Sequence, residues 1–308
     1  MERIKIFEMP SLYREPLEIT GFRFGGGEKS AAVVGAMRGN EIQQLYICSQ
    51  LVRRLKAIEE AGGIRRGAGI EVIPCVNPYS INIGKRFWAM DDTDINRMFP
   101  GYDQGETTQR IAAGLFEHLQ GWRWGIHFAS YYIRGGFMPH VRMMQTDFGD
   151  PVAARDFGQS YVMVRKPLPI DTATLNYNWQ IWDTRAYTIF TASTESIDAA
   201  SSIEAVDAVL RFFKRQGLID CDADEGVPSV VIQDADLCAV HAPAAGIFHA
   251  AAAAGSLVQK GALLGEILDS LEGDVLCRVL APMDGHVFFA CTDALVMQRQ
   301  ILFELVQA

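Results

Sequence analysis

The sequence predicts an α/β domain, built on a mostly parallel mixed sheet with helices on both faces, followed by a small all-β barrel. Three observations carry this. Short β-rich runs alternate with amphipathic helical stretches over the first two thirds of the chain. Near Asp220 the texture changes, and the acidic, turn-rich CDADEGVP reads as a linker. Beyond it comes an internal repeat of short strands with no convincing helix. The expected domains are residues 1–222 and 223–308.

The strand candidates are AAVVGA (31–36), IEVIPCV (70–76), WRWGIHF (122–128), YVMVR (161–165) and YTIFT (187–191). Such runs suit the buried strands of a parallel sheet. A helix is expected from Asn40 to Ala61, with Ile42, Leu45, Val52 and Leu55 on its apolar face and Gly62-Gly63 as its stop. A second covers Thr108–Gln120. A third runs from Ser201, where Glu204 completes a capping box, to Gly217. The glycines of GGGEKS (25–30) lack phosphate-loop spacing and are followed by a strand, so they read as a hairpin turn.

Composition sets outer bounds. The 308 residues suffice for two cores, and 49% hydrophobic with 21% charged residues is ordinary globular composition. A net charge of −9 argues against nucleic acid or an anionic membrane as partner, but not against a small anion held by local arginines. The start MERIKIFEMP lacks signal-peptide layout, and no apolar run nears the ~20 residues of a membrane span. A soluble, cytoplasmic protein is the expectation. Cys48, Cys75, Cys221, Cys238, Cys277 and Cys291 form no Cys-x-x-Cys pair and read as small buried hydrophobes.

In the last third, His241-Ala242-Pro243-Ala244-Ala245-Gly246 recurs as Leu280-Ala281-Pro282-Met283-Asp284-Gly285, 39 residues on, and GSLVQKGALLGEIL matches ALVMQRQILFEL in apolar spacing. Two similar halves predict a barrel with internal pseudo-two-fold symmetry. Ala-Pro-x-x-Gly followed by Val-x-x-Gly resembles the biotinyl/lipoyl hammerhead domain, whose cofactor sits on a lysine between the halves. The equivalent stretch here, LDSLEGDV (268–275), has no lysine. No biotin or lipoyl attachment is expected, and the barrel reads as structural or as a pocket wall.

Two segments carry the chemistry. AMRGNEIQQL follows a strand and opens a helix, which puts Arg38, Asn40 and Glu41 at the strand's C-terminal edge, where open α/β sheets bind ligands. NPYSINIGKRFWAMDDTDINRMFPG (77–101) is a long loop whose aromatic content argues for order. Arg86, Asn96 and Arg97 within it suggest an anion site, because the arginine fork matches a carboxylate.

With these residues in view, the sequence resembles the succinylglutamate desuccinylase/aspartoacylase family, which shares the zinc carboxypeptidase fold. That family shows His-Gly-x-Glu, Asn-Pro, a separate Arg, Asp-x-Asn-Arg-x-Phe-Pro-Gly, a strand-borne His and a later Glu. Here Gly39-Asn40-Glu41, Asn77-Pro78, Arg86, Asp94 through Gly101, His127 and Glu195 follow in that order. The resemblance covers about residues 30–200. It implies a zinc-dependent hydrolase of the amide or ester bond of an N-acyl amino acid or similar small carboxylate. In that role Glu41 and His127 are metal ligands, Glu195 is the general base and Arg86 polarises the scissile carbonyl. Asn96 and Arg97 bind the substrate carboxylate.

Two positions depart from the family pattern. Arg38 stands where the first histidine ligand belongs, and a guanidinium has no lone pair to give. Gly125 stands where an aspartate orients the second histidine, and losing such a partner weakens metal binding roughly 10–100-fold. His140 is the candidate replacement ligand, ahead of Asp91 and Asp92; His118, His241, His249 and His286 read as structural. Tyr177, Trp179, Trp182 and Tyr187 either shape an apolar acyl pocket or pack around a strand pairing. Two readings stay open: a hydrolase with an altered ligand set, or a family member without zinc that binds a carboxylated ligand through Arg38, Arg86 and Arg97. Assembly as a homo-oligomer is left open.

Overall fold

A computed structural model of the chain describes residues 1–11, 13–131 and 133–307. The amino-terminal part comprises β1 (Glu2–Met9), β2 (Leu17–Phe24), β3 (Glu28–Ala36), α1 (Ile42–Glu60), β4 (Ala68–Cys75), α2 (Pro78–Asn82), α3 (Thr107–His118) and β5 (Trp124–Phe128). It continues with β6 (Gly135–Phe137), β7 (His140–Met144), α4 (Pro151–Ala154), β8 (Tyr161–Arg165), α5 (Leu175–Ile181), β9 (Arg185–Phe190), α6 (Ala199–Arg215) and β10 (Val230–Gln233). Nine of these strands form one sheet in the order β1-β2-β4-β3-β5-β9-β7-β8-β10. Its centre is parallel (β4, β3, β5 and β9), and β7 enters antiparallel to β9.

All five expected strands and all three expected helices are present, because each buries an apolar face of the right period. Helices α1 and α6 cover one face through Leu51, Leu55, Val209 and Phe213; α3 and α5 cover the other through Ile111, Leu115, Leu175 and Trp179. This is the expected mixed sheet with helices on both faces.

Several local expectations need correction. The third helix starts earlier, with Asp198 rather than Ser201 as its cap, accepting from Ser201 N. Glu204 instead pairs with the buried Arg211. The glycines at 25–27 do not close a hairpin, since β2 and β3 are not neighbours but flank β4. They turn tightly over the start of β4: Gly27 N donates to Ala68 O, and a Cβ on Gly27 would lie 2.1 Å from the Gly67 backbone. Strand β10 pairs in parallel with β8, so the first sheet extends past the expected boundary at 222/223.

The carboxy-terminal part is an antiparallel β domain of β11 (Leu237–His241), β12 (Gly246–Ala250), β13 (Leu257–Val258), β14 (Leu263–Leu268), β15 (Val275–Leu280), β16 (Gly285–Cys291), β17 (Leu295–Val296) and β18 (Ile301–Val306). Two sheets form, β11-β18-β16-β13 and β15-β14-β12-β17. Exchanging each strand for its repeat partner turns one order into the other. The strand starts are offset by 38 or 39 residues, so the spacing varies by one instead of staying at 39. From the first part, β6 adds to the first of these sheets by pairing with β16. No helix among the described residues is long and apolar enough to cross a membrane.

Candidate functional site

The site lies beyond the C-terminal ends of β3 and β5 and runs across β9 to β7. After β3 the chain turns through Met37–Glu41 into α1, packed against the following loop: Gly39 N donates to Arg86 O, and a Cβ on Gly39 would meet Lys85 O at 2.2 Å. Glycine is therefore the residue that lets these two segments touch. Strand β5 carries His127, whose register partner on β9 is Thr188; Thr188 in turn faces Arg142 on β7.

Arg38 organises the mouth of this region. It is 5% exposed; its Nη1 donates to Glu41 Oε1 (3.1 Å), and both Nε (3.1 Å) and Nη2 (2.8 Å) donate to Asp94 Oδ2. Burial works against its charge, but Asp94 and Glu41 more than offset this and hold the guanidinium above its ordinary pKa. Asp94 Oδ1 accepts from Asn96 N, and Asn96 Oδ1 accepts from Leu175 N at the start of α5. One chain of contacts thus joins the α1 turn, the 77–101 loop and α5.

A cavity of about 490 Å³ opens beneath this network. Arg38, Arg86, Asn96, Arg97 and His127, all singled out in the sequence, line it together. Arg142, Arg165, Asp171, Asn176 and Thr188 line it as well and were not anticipated. Arg142 and Arg165 had one legible signal, a charged residue inside an otherwise apolar strand run; Asn176 and Thr188 had none. Five arginines against Asp94 and Asp171 make the cavity cationic in a protein of net charge −9. Burial and the neighbouring Arg38 hold the Arg86 and Arg97 guanidinia below their usual range. Burial and Arg165 push Arg142 down to about 10. An anionic ligand would relieve all three.

The remaining candidates sit elsewhere. Glu195 is exposed and faces an adjoining cavity of about 380 Å³, which shares Arg86 and Tyr131 with the first. It accepts from Asn40 Nδ2 at 3.0 Å and pairs with Arg134 Nε at 3.3 Å. Glu41 is fully buried below Arg38 and does not line the cavity. His140 does not reach the site. It stacks on Phe190 at 5.0 Å, lies 4.6 Å from Phe288, and its Nδ1 pairs with Met138 O, because β7 directs it toward the β domain. The expectation that His140 replaces a ligand is thereby corrected. Asp92 pairs with Lys85, and Asp91 caps Thr93 N.

The aromatic stretch packs and does not form a pocket. Trp179 is buried and donates to Leu119 O, Tyr187 belongs to the core under α6, and Trp182 stands edge-on to Phe116 at the surface. Trp179 also explains Gly125: a Cβ there would lie 2.7 Å from the indole. The indole fills the space into which an aspartate would project.

Does this donor set suit zinc? Glu41 already accepts from five donors: Met37 N, Arg38 N, Arg38 Nη1, Ser130 N and Ser130 Oγ. A carboxylate has about four lone-pair sites, so none is left for a metal. The permanent charge of Arg38 stands beside it. His127 alone offers an uncommitted donor, since its buried Nε2 has no hydrogen-bond partner among the described residues, and burial drops its pKa to about 4, so the ring is neutral. Among the described residues no group of three or more His, Cys, Asp and Glu side chains could hold a metal ion. A tight zinc site needs three protein ligands, and the arrangement does not fit one.

Residues 28–164 match the succinylglutamate desuccinylase/aspartoacylase catalytic domain. The N-α-acetyl-L-2,4-diaminobutyric acid deacetylase of Halomonas elongata is 28% identical over 96 residues, 31% of this chain and 26% of the deacetylase; the match thus spans about a quarter of that relative's length. A succinylglutamate desuccinylase from a Silicibacter species superposes with TM-score 0.83 at 17% identity, over 99% of this chain and 95% of its own. A succinylglutamate desuccinylase/aspartoacylase from Rhodobacter sphaeroides gives 0.81 at 20% identity, and the product-bound ectoine utilization protein of Ruegeria pomeroyi gives 0.80 at 20%, each over 99% of this chain and 95% of the other. The match to that family's catalytic domain is confined to residues 28–164, and the likeness of fold to its solved structures extends across both parts.

Proposed function

We propose that this protein, similar to desuccinylases, aspartoacylases and deacetylases, uses its arginine-lined cavity to bind a small N-acyl amino acid or similar carboxylate without a zinc ion. The observation that carries the reading is the buried Arg38 guanidinium between Glu41 and Asp94. It puts a fixed positive charge where the family pattern calls for a ligand, and it engages the carboxylate that would be the second ligand. The cavity keeps what a carboxylate needs: Arg97, Asn96 and Arg86 line it together with a neutral His127. Its size suits a ligand of amino-acid scale. The deacetylase and the ectoine utilization protein among its relatives support an acylated amino acid as the ligand class.

Hydrolysis of an amide or ester bond is the second reading, and Glu195 near Arg86 is the observation that favours it. There Arg86 would polarise the carbonyl and Glu195 would take the proton of an attacking water. The β domain fits a hammerhead-like fold through its exchanged strand orders, and its Thr292 lines Glu195's cavity beside β6, the strand paired to β16.

The test uses protein purified without chelators or a metal-affinity column. Metal content is measured first, then calorimetric binding of a panel of N-acyl amino acids with and without a chelator, then amide hydrolysis with added zinc. Substoichiometric zinc with chelator-insensitive binding is the expected result. Stoichiometric zinc with zinc-dependent hydrolysis would replace this reading by the second.

A further inference from the structure

The cavity has an apolar side that a bound carboxylate leaves unused. Phe87, Met144, Leu168 and Ile170 line it among the charged residues. Met144 is buried, whereas Leu168 and Ile170 are 47% and 60% exposed, at the rim. Single exposed apolar side chains are common on protein surfaces. Two of them on one turn, bordering one cavity, mark a place where an apolar group can dock.

That turn is held from several sides. Pro167 and Pro169 flank Leu168, and the proline ring restricts the backbone at both positions. Leu168 N donates to Asp171 Oδ2 at 3.0 Å, and Asp171 N donates back to Leu168 O at 2.8 Å. Thr172 Oγ1 donates to Pro169 O at 2.7 Å, and Thr174 N donates to Asp171 O at the start of α5. The backbone that presents Leu168 and Ile170 is therefore fixed, so little ordering cost opposes packing a ligand against them. One contact also links this turn to the charged part of the cavity. Arg97 Nη1 donates to Ile170 O, so a carboxylate held by Arg97 lies next to the apolar rim. Charged or polar extensions of the ligand gain nothing there. A hydrocarbon chain does, by about fourfold in affinity for each methylene fully buried.

We propose that Leu168 and Ile170 form an apolar subsite, so that the preferred ligand joins its carboxylate to a hydrocarbon chain longer than a methyl group, carried either by the acyl group or by the side chain. This rests on the reading of the cavity as a carboxylate site and names the chemistry of the ligand's other end. Ordinary surface exposure of two aliphatic residues, with no ligand against them, is the competing account.

Two ligand series separate these accounts in calorimetry of the intact protein. N-acetyl-, N-butanoyl- and N-hexanoylglycine lengthen the acyl group, and the N-acetyl derivatives of L-alanine, L-norvaline and L-norleucine lengthen the side chain. Affinity should rise about tenfold or more from the shortest to the longest member of one series, which identifies the group that meets the rim. In the double variant Leu168→Ser/Ile170→Ser that rise should fall below about threefold. Ile203→Ser removes a comparably exposed aliphatic side chain on α6, outside the cavity, and should keep the full rise. Flat affinities in both series, with the short ligands bound, overturn the apolar subsite and leave the carboxylate site standing. A rise that survives the double variant, or is lost equally in Ile203→Ser, also overturns it. N-hexanoylglycinamide, which lacks the carboxylate, tests the underlying reading separately. If it binds as tightly as N-hexanoylglycine, the carboxylate site falls and the proposal falls with it, since the preferred ligand then needs no carboxylate. Failure of every ligand to bind removes both.

Discussion

Arg38 and Asp94, 56 residues apart in sequence, meet in a two-pronged contact in which Nε and Nη2 of the guanidinium share one carboxylate oxygen. With Glu41 on its other side, Arg38 joins the turn after β3 to the loop before α3, and the mouth of the cavity depends on that junction.

Removing the charge should therefore cost stability as well as reshape the site. Arg38→Met leaves Glu41 and Asp94 without their buried counter-ion, and breaking such a pair typically costs roughly 3–5 kcal/mol. Guanidinium chloride unfolding should show a loss of that size, and a change under 1 kcal/mol would mean that the network contributes little.

Arg38→His tests the metal question from the opposite side. It removes the repelling charge and one of the three donors on Glu41 Oε1, and it supplies an imidazole near His127. Zinc affinity should rise measurably above wild type in a titration followed by dialysis and metal analysis. An unchanged affinity would show that the site has moved too far from a zinc geometry for one ligand to restore it.

Arg97 is half-exposed at the rim, where its Nη1 donates to Ile170 O and Asp171 stands 3.9 Å away. Truncation to alanine should weaken binding of a carboxylate ligand by about 2–5 kcal/mol, largely because the ligand charge is left unpaired. Calorimetric affinity equal to wild type would detach Arg97 from the ligand.

Gly125 and Trp179 should behave as a coupled pair. Gly125→Asp drives a side chain into an indole 2.7 Å away and buries an unpaired carboxylate, so a loss of several kcal/mol is expected. Trp179→Ala opens the space, and the double variant should lose clearly less than the two single losses combined. Simple additivity in thermal or chemical unfolding would mean that the contact has no energetic weight.

The buried His140 gives a pH dependence with a definite sign. Burial, only partly offset by the hydrogen bond to Met138 O, lowers its pKa to about 3 from a usual value of 6.5. Between those values the unfolded chain binds the proton and the native state does not, so stability is full above pH 6.5 and falls as pH drops toward 3. Denaturation midpoints at pH 7.5 and 5.0 should differ in that direction. His140→Phe, which keeps the stack on Phe190, should reduce the difference; an identical slope in that variant would place the acid sensitivity elsewhere.

Local pattern made much of this molecule legible. The apolar periods of β3, β4, β5, β8 and β9 and of α1, α3 and α6 are properties of neighbouring residues, and burial of one face enforces them. Strand β1 escaped notice because most of its residues are exposed or half-exposed at a sheet edge, and β7 because Arg142 interrupts its apolar run. The ordered loop Asp94–Gly101 likewise announced an anion site through the chemistry of arginine and asparagine.

What spacing could not convey is which groups meet. The sequence by itself determined the fold class, the internal repeat and the family order of Arg86, Asn96, Arg97, His127 and Glu195. Only the tertiary structure decided that Arg38 holds Asp94 as well as Glu41, that Glu195 faces an adjoining cavity, that His140 turns toward the β domain, and that Arg142 and Asn176 line the same cavity as Arg38. The physical reason is that strand register and loop crossings bring these side chains together from separate segments, and a contact across 56 residues leaves no periodic trace in the chain.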